Sequence, residues 1–244
     1  METTELSPSY EGQEVFMKDF YIPRLYLSGF IRDFDDIAEK YRLERRSYKR
    51  GESLTEHGII NNTAHYIRSG LVHLSLTHSS GNLKSLVFFG PETIFPIGVV
   101  PHENLIDYEM IMLAMTDVET YSFSYPTLRK LCVENGEFAA KILEENCEMI
   151  GYLFYEGMNH AFTPTEIRVC DILYLLLENL KPVNMTVSMR QGDMANLIGI
   201  SAAQLERVLK DLRLRGIIET SRGKIHVTDV NALRSMCSTE LRGN

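Results

Sequence analysis

The pattern that most limits the possible folds of this 244-residue chain lies between Gln191 and Lys210. Two helices that cross at a short turn need a small residue in the first helix, a glycine at the turn and apolar residues on the facing sides. Ala195 and Gly199 fill the first two places, and Ser201 is a good N-cap for the second helix. The pattern predicts a helix-turn-helix, with an ordinary helical hairpin as the alternative. The predicted buried positions are Met194, Ile198, Ile200, Leu205, Val208, Leu209 and Leu212.

The residues after this pattern predict a β-hairpin. An apolar stretch at Ile217-Ile218 is followed by a turn signal at Ser221–Lys224 and by alternating Ile225 and Val227. A helix-turn-helix followed by such a hairpin is a winged helix. The second helix is then expected to project outward Ala202, Ala203, Glu206, Arg207 and Lys210.

A heptad pattern precedes the helix-turn-helix, on a stretch without proline from Glu137 to Ala161. A seam with this spacing favours a parallel coiled-coil dimer of two copies of the chain. The alternative is a long helix that packs on its own chain, but Gly157 and Ala161 favour the dimer because small seam residues let two backbones approach closely. The predicted seam residues are Leu143, Cys147, Ile150, Phe154, Gly157 and Ala161.

Short strands are predicted from about residue 48 to residue 125. Val72, Leu74 and Leu76 alternate with polar residues, which is typical of a half-buried strand, and residues 79–82 form a hairpin turn signal. Short strands with glycine corners predict a small antiparallel barrel or roll. Residues 1 to about 19 are read as a loose arm, followed by a short helix. A further helix is predicted with Thr163 as its N-cap, Pro164 at its first helical position and Glu166 completing a capping box, and it is predicted to end at Lys181-Pro182.

This order of parts resembles the Crp/Fnr family of bacterial transcription regulators, over about residues 48–236. In the barrel the resemblance rests on Gly51-Glu52, Glu56-His57-Gly58, Tyr66–Gly70 and the Gly81 hairpin; further on it rests on residues 191–216 and the wing. It implies an α+β fold: an N-terminal β-roll (a cyclic-nucleotide-binding-like double-stranded β-helix), a long dimerisation helix and a C-terminal winged helix-turn-helix. The expected boundaries are 1–136 for the arm and the effector-sensing roll, 137–161 for the dimerisation helix and 162–244 for DNA binding.

The resemblance also implies a homodimer that binds an inverted-repeat operator in double-stranded DNA and acts on RNA polymerase. Arg207 matches the base-reading arginine of the family, whereas Ala202 and Ala203 stand where many relatives have arginine and glutamate. Alanine offers only apolar contact to a thymine methyl group, so the operator is expected to differ. Phosphate contacts are expected from Ser201, Gln204, Arg190, Lys210 and Arg222. Arg207 paired with Asp211 is the alternative to base reading.

The residues that bind cofactors in members of the family are missing from this sequence. Residues 95–110 contain no arginine or lysine for a cyclic phosphate, the first cysteine is Cys132, and Pro96 and Gly98 replace the haem ligands. We therefore expect no cofactor, no metal and no cyclic AMP, and we expect the roll to sense an effector of another kind. The alternative is a constitutive DNA-binding dimer without a ligand. Residues that line an effector pocket, or else fill the core, are Ile94, Phe95, Ile97, Met149, Tyr152 and Leu153.

Charge and composition agree with this interpretation. The net charge of −8 divides into −10 up to Ala161 and +2 after it, from 14 basic and 24 acidic against 11 basic and 9 acidic residues. The chain lacks a nucleophile elbow, and His73 and His78 are predicted to point to opposite faces of one strand. We expect no enzyme activity, with a cupin-like metalloenzyme as a remote alternative. Four scattered cysteines and no membrane or signal segment favour the cytoplasm. A redox-active Cys147 pair across the dimer is a further alternative.

Overall fold

A computed structural model describes residues 24–55, 62–79, 83–96 and 108–242. The arm, Glu56-His57-Gly58, the Gly81 turn, Ile97 and Gly98 lie outside these residues. In chain order the elements are β1 (Tyr26–Leu27), α1 (Phe34–Lys40), β2 (Glu44–Tyr48), β3 (Thr63–Ser69), β4 (Val72–His78), β5 (Leu83–Phe89), β6 (Thr93–Phe95), β7 (Tyr108–Ala114), β8 (Val118–Ser124), α2 (Tyr125–Glu134), α3 (Gly136–Phe162), α4 (Thr165–Leu180), β9 (Thr186–Val187), α5 (Gln191–Ile198), α6 (Ala202–Leu214), β10 (Ile218–Ser221), β11 (Lys224–Val227), α7 (Val230–Ser235) and α8 (Thr239–Arg242).

The N-terminal strands form two four-stranded sheets, in the orders β1-β5-β4-β7 and β2-β8-β3-β6. The pairs are antiparallel apart from the short β1, which lies parallel to β5. The predicted roll is therefore present, although it begins before residue 48. The sequence prediction missed β1 and β2 because β2 is almost wholly exposed and carries no apolar alternation.

Strand β4 departs from the predicted half-buried pattern. Val72 and Leu74 are buried as expected, but Ser75 is also buried and Leu76 is only half-buried. The ring of His73, on the face expected to be exposed, stacks on Phe88 with centroids 4.7 Å apart. The polar face of this strand is therefore covered, and the reason is the position of the C-terminal helices, which alternation within one strand cannot reveal.

Helix α3 presents two chemically different sides. Asn135 caps its start, since its Oδ1 accepts a hydrogen bond from the Phe138 N–H at 3.0 Å. The side that faces the roll buries Phe138, Ile142, Glu145, Tyr152 and Asn159. The opposite side carries the predicted seam, whose six residues are all exposed in the single chain. Leu143, Ile150 and Phe154 are 66%, 45% and 71% exposed. The helix thus packs on its own chain, as the alternative expects, but through the side opposite to the seam, and the seam itself stays free for a partner.

The junction between α3 and α4 differs from the prediction at one point. Thr163 is the C-cap of α3, and Pro164 occupies the N-cap position of α4 without a side-chain cap. Proline fixes φ near −65° and has no N–H, so it fits a helix start without a capping partner. Helix α4 ends as expected, with Lys181 in the left-handed region at φ 43°.

A buried carboxylate joins α3, α4 and the C-terminal segment. Asp171 accepts hydrogen bonds from Tyr155 Oη at 3.0 Å, Asn159 Nδ2 at 3.0 Å and the Ser238 N–H at 2.7 Å. A charged group without solvent exposure is tolerated only when it is well paired or well hydrogen-bonded. These three donors satisfy Asp171 and fix the angle between the two helices.

The expected wing is present but has one more strand than predicted. β10 and β11 form the hairpin, and β9 pairs with the outer edge of β11 to give the order β10-β11-β9. Strand β9 is only two residues long, which is too short to show periodicity. No described helix is long and apolar enough to cross a membrane. Within the same residues, no three His, Cys, Asp or Glu side chains form a group that could hold a metal ion.

Candidate nucleic-acid interface

The turn between α5 and α6 is fixed by a glycine. Gly199 has φ +71°, in the left-handed region that an L side chain rarely adopts, and its N–H donates to the Ala195 carbonyl oxygen at 2.9 Å. Ile200 N donates to the same carbonyl oxygen at 3.0 Å. Ala195 itself is buried. The small residue and the glycine therefore hold the two helices close together at this turn.

The second helix begins with a complete capping box. Ser201 Oγ accepts from the Gln204 N–H at 3.2 Å, and Gln204 Oε1 accepts from the Ser201 N–H at 2.9 Å. These bonds satisfy backbone donors that have no partner inside the helix. Two of the five residues that the sequence assigns to phosphate contacts therefore bond to each other in the free chain, and both stay exposed.

The outward row of α6 is exposed as the sequence predicts, while Leu205, Leu209 and Leu212 face the core. The alternative pairing of Arg207 with Asp211 is not seen, because Asp211 Oδ2 lies 2.7 Å from Arg215 Nε. Arg207 has no recorded ion-pair partner among the described residues. Its guanidinium is thus free for an external acceptor. The row consists of Ala202, Ala203, Glu206, Arg207 and Lys210.

Glu206 is exposed, but its carboxylate is already engaged. Oε1 lies 2.6 Å from Nη2 of Arg213, and Oε2 accepts from Gln191 Nε2 at 3.1 Å. The Arg213 hydrogen bond lowers the pKa of Glu206 below its ordinary value. Arg213 also donates to Thr220 Oγ1 at 3.0 Å. This network ties the start of α5, the middle of α6 and the wing together.

A basic groove of about 950 Å³ opens between the start of α5, helix α6 and the wing. It is lined by the predicted Arg190 and Arg222 and by two cations that the sequence interpretation missed, Arg213 and Lys224. Arg213 follows Glu206 by seven residues, a spacing that places both on one side of a helix and that could have indicated it. Glu206 is the only carboxylate in the lining, so the groove suits an anionic backbone.

Comparison with known proteins agrees with this geometry. Residues 167–236, from within α4 to the end of α7, match the family described as the Crp-like helix-turn-helix domain. Because of this match we call residues 167–236 the Crp-like domain. The chain is also 25% identical over 209 residues to the cyclic AMP receptor protein of Thermus thermophilus, covering 82% of this chain and 91% of that protein.

Two solved structures show that the likeness includes the roll and the long helix. The c-di-GMP responsive global regulator CLP of Xanthomonas campestris superposes with a TM-score of 0.69 at 19% identity, over 80% of this chain and 99% of that one. A regulator of the Crp/Fnr family from Eubacterium rectale has a TM-score of 0.69 at 13% identity, over 85% and 98%. The Crp-like domain thus belongs to a chain that has the α+β fold of the Crp/Fnr regulators.

The residues assigned to an effector pocket do not all meet. Ile94 is buried in a cluster with Tyr66 and Phe138, whereas Phe95 stacks on Phe89 with centroids 4.6 Å apart. Neighbouring residues of a strand point to opposite faces, so Ile94 cannot line a cavity with Phe95. Ile97 lies outside the described residues. Phe95 and buried Tyr152 belong to one hydrophobic cluster, against which Met149 and Leu153 pack.

Proposed function

We propose that this protein is a homodimeric, sequence-specific DNA-binding transcription regulator. The observation that supports this most directly is the exposed row of α6, with Arg207 unpaired, beside a basic groove that reaches the wing. In this proposal Arg207 reads a base edge, Ala202 and Ala203 offer apolar contact, and Lys210 contacts a phosphate. Arg190, Arg213, Arg222 and Lys224 hold further phosphates, and Ser201 and Gln204 join them at the start of α6.

The proposed dimer uses the exposed seam of α3. A single exposed apolar side chain is common on a protein surface, but several on one side of a helix are typical of residues that a partner covers. Leu143, Ile150 and Phe154 recur at heptad spacing on the side opposite to the roll. Two copies that join through this seam would carry their Crp-like domains at the same end.

We assign residues 1–136 to the arm and the sensing roll, 137–161 to the dimerisation helix and 162–244 to DNA binding, and we place the protein in the cytoplasm with RNA polymerase as partner. An effector bound near Tyr152 is favoured over a constitutive dimer by one observation. The Tyr152 hydroxyl is fully buried and has no hydrogen-bond partner. Such a hydroxyl is costly unless a ligand or water satisfies it.

The effector is proposed to be something other than cyclic AMP. Residues 95–110 contain no lysine or arginine. A cyclic phosphate would lack a compensating cation there. Calorimetric titration of the protein with cyclic AMP is expected to show no saturable site at micromolar concentration. A stoichiometric site in that range would contradict the proposal.

Selection of bound fragments from random double-stranded DNA tests the function itself. We expect an inverted repeat whose half-site centres lie about 10 bp apart, because two symmetric recognition helices enter successive major grooves. Repeating the selection with a small-molecule cell extract distinguishes the two kinds of regulator, since a constitutive dimer enriches the same sites equally in both conditions. Enrichment of no sequence above the starting pool would contradict specific DNA binding.

A further inference from the structure

The Crp-like domain lies against the roll of its own chain, on the sheet β1-β5-β4-β7. The Tyr26 N–H of β1 donates to Asn179 Oδ1 near the end of α4, at 3.2 Å. His73 on β4 lies close enough to Asp193 of α5 for that charge to act on the imidazole. Buried residues of the roll and of the C-terminal helices form one continuous hydrophobic cluster. The domain therefore has a defined contact surface on the sheet, in addition to its covalent connection through α3.

Three charged residues meet at the C-terminal end of α5, and we call them the interdomain bridge: Lys84 of β5, Glu156 of α3 and Arg168 of α4. Lys84 Nζ donates to the Leu197 carbonyl oxygen at 2.9 Å and to Glu156 Oε1 at 2.5 Å. Arg168 donates to the Ile198 carbonyl oxygen and lies 2.8 Å from Nδ1 of His160. The bridge thus connects the roll, the long helix and the helix-turn-helix at one point.

The hydrogen bonds of the bridge are expected to be stronger than those between exposed side chains, because of where they lie. Leu197 and Ile198 supply the last two carbonyls of α5, which have no partner within the helix and carry the negative end of its dipole. Two cations donate to them. Arg168 is buried, and the side chains of Lys84 and Glu156 are only 30% and 21% exposed. Partial burial reduces screening by solvent, so these charge-assisted bonds are stronger than exposed ion pairs.

We infer that Lys84 is a positioning residue for DNA binding, through which strand β5 holds helix α5 and orients the helix-turn-helix. This inference rests on the proposed function, because orientation matters only when two recognition helices must fit one operator. The bridged arrangement leaves the outward row of α6 exposed, so it is compatible with DNA binding. The roll consequently acts on the helix-turn-helix by a second route, β5 to α5, beside the one through α3.

Lys84→Met in the full-length protein tests the inference, because methionine keeps the apolar stem and removes the donor and the charge. We expect the Kd for the selected operator to rise about tenfold, the effect of losing one charge-assisted hydrogen bond. Binding to random DNA of the same length, which needs no fixed spacing, should change less than about twofold. Lys84→Arg should restore most of the affinity. Lys49→Met, which removes an exposed ion pair with Asp117 elsewhere on the roll, should leave both constants unchanged.

Hydrogen exchange separates positioning from general loss of stability. In Lys84→Met the backbone amides of α5 should exchange faster while those of β3 and α3 keep their rates, because only the contact between α5 and the sheet opens. Three results would each overturn the inference. The first is faster exchange throughout the chain, the second is an operator Kd that stays equal or falls, and the third is an equal loss of affinity for random DNA. If the unaltered protein selects no inverted repeat from random DNA, the proposed function itself is wrong. If it selects one and Lys84→Met binds that operator with unchanged affinity, only the inference about the bridge is wrong.

Discussion

Ile150→Asp is expected to convert the protein from a dimer to a monomer at micromolar concentration and to abolish detectable operator binding. Ile150 lies in the middle of the exposed seam, between Leu143 and Phe154. Symmetry places the new carboxylate in the interface twice, without a partner, at a cost of several kcal/mol on the order of that measured for buried unpaired charges. A monomer contacts one half-site and loses the contribution of the second. Sedimentation equilibrium and operator titration measure the two effects.

Val133→Asp provides the matched control, because Val133 is 76% exposed on α2 and lies outside the seam. The same substitution there should leave both sedimentation and operator affinity unchanged. Circular dichroism should show equal helix content for both variants, since the outer side of α3 makes few contacts within one chain. An Ile150→Asp protein that still sediments as a dimer would place the interface on another surface.

Arg207→Ala is expected to weaken operator binding by about 1–3 kcal/mol per half-site, which is roughly thirtyfold or more for the dimer when the two effects add. The reason is that a bidentate contact to guanine is lost from both recognition helices. Preference at one symmetric base position should relax at the same time. Titration of the operator, of an operator changed at that position and of random DNA at one salt concentration measures both results.

Lys210→Ala is the companion variant for this measurement. Lys210 lies on the same exposed row of α6, and the proposal gives it a phosphate contact. Its loss should weaken binding to the operator and to random DNA by similar factors, and it should reduce the salt dependence of both affinities. If Arg207→Ala behaves in this same way, Arg207 is a phosphate contact. Glu206 is then a poor substitute as base reader, because Arg213 and Gln191 already hold its carboxylate.

The sequence was informative where a local rule decides the structure. The turn at Gly199 and the start of α6 at Ser201 depend on φ and on capping, both of which residue type controls within a few positions. The seam on α3 could be predicted because heptad spacing can be recognised within one segment, without knowledge of the rest of the chain. These features together predicted the order of roll, long helix and winged helix that the structure contains.

Contacts between distant segments could not be predicted in the same way. Lys84 meets Leu197 across more than a hundred residues, and nothing in the composition of β5 distinguishes this lysine from a solvated one. The burial of Ser75 on β4 has the same cause, since it depends on which neighbour the sheet acquires. The separation of Ile94 from Phe95, in contrast, follows from the alternation within β6 and could be predicted once that strand is recognised. The misplaced cap at Thr163 shows a local rule that failed, because proline next to it took the N-cap position.

The bond between Asp171 and the Ser238 N–H lets a segment far along the chain act on the junction of α3 and α4. Ser238 follows Asp171 by 67 residues, and its N–H is one of three donors to the buried carboxylate. A change that pulls this segment away would leave Asp171 with two donors, which is unfavourable for a buried carboxylate. A substitution or a peptide tag that displaces the segment is therefore expected to loosen the junction of the two helices from a distance, although it lies on neither helix.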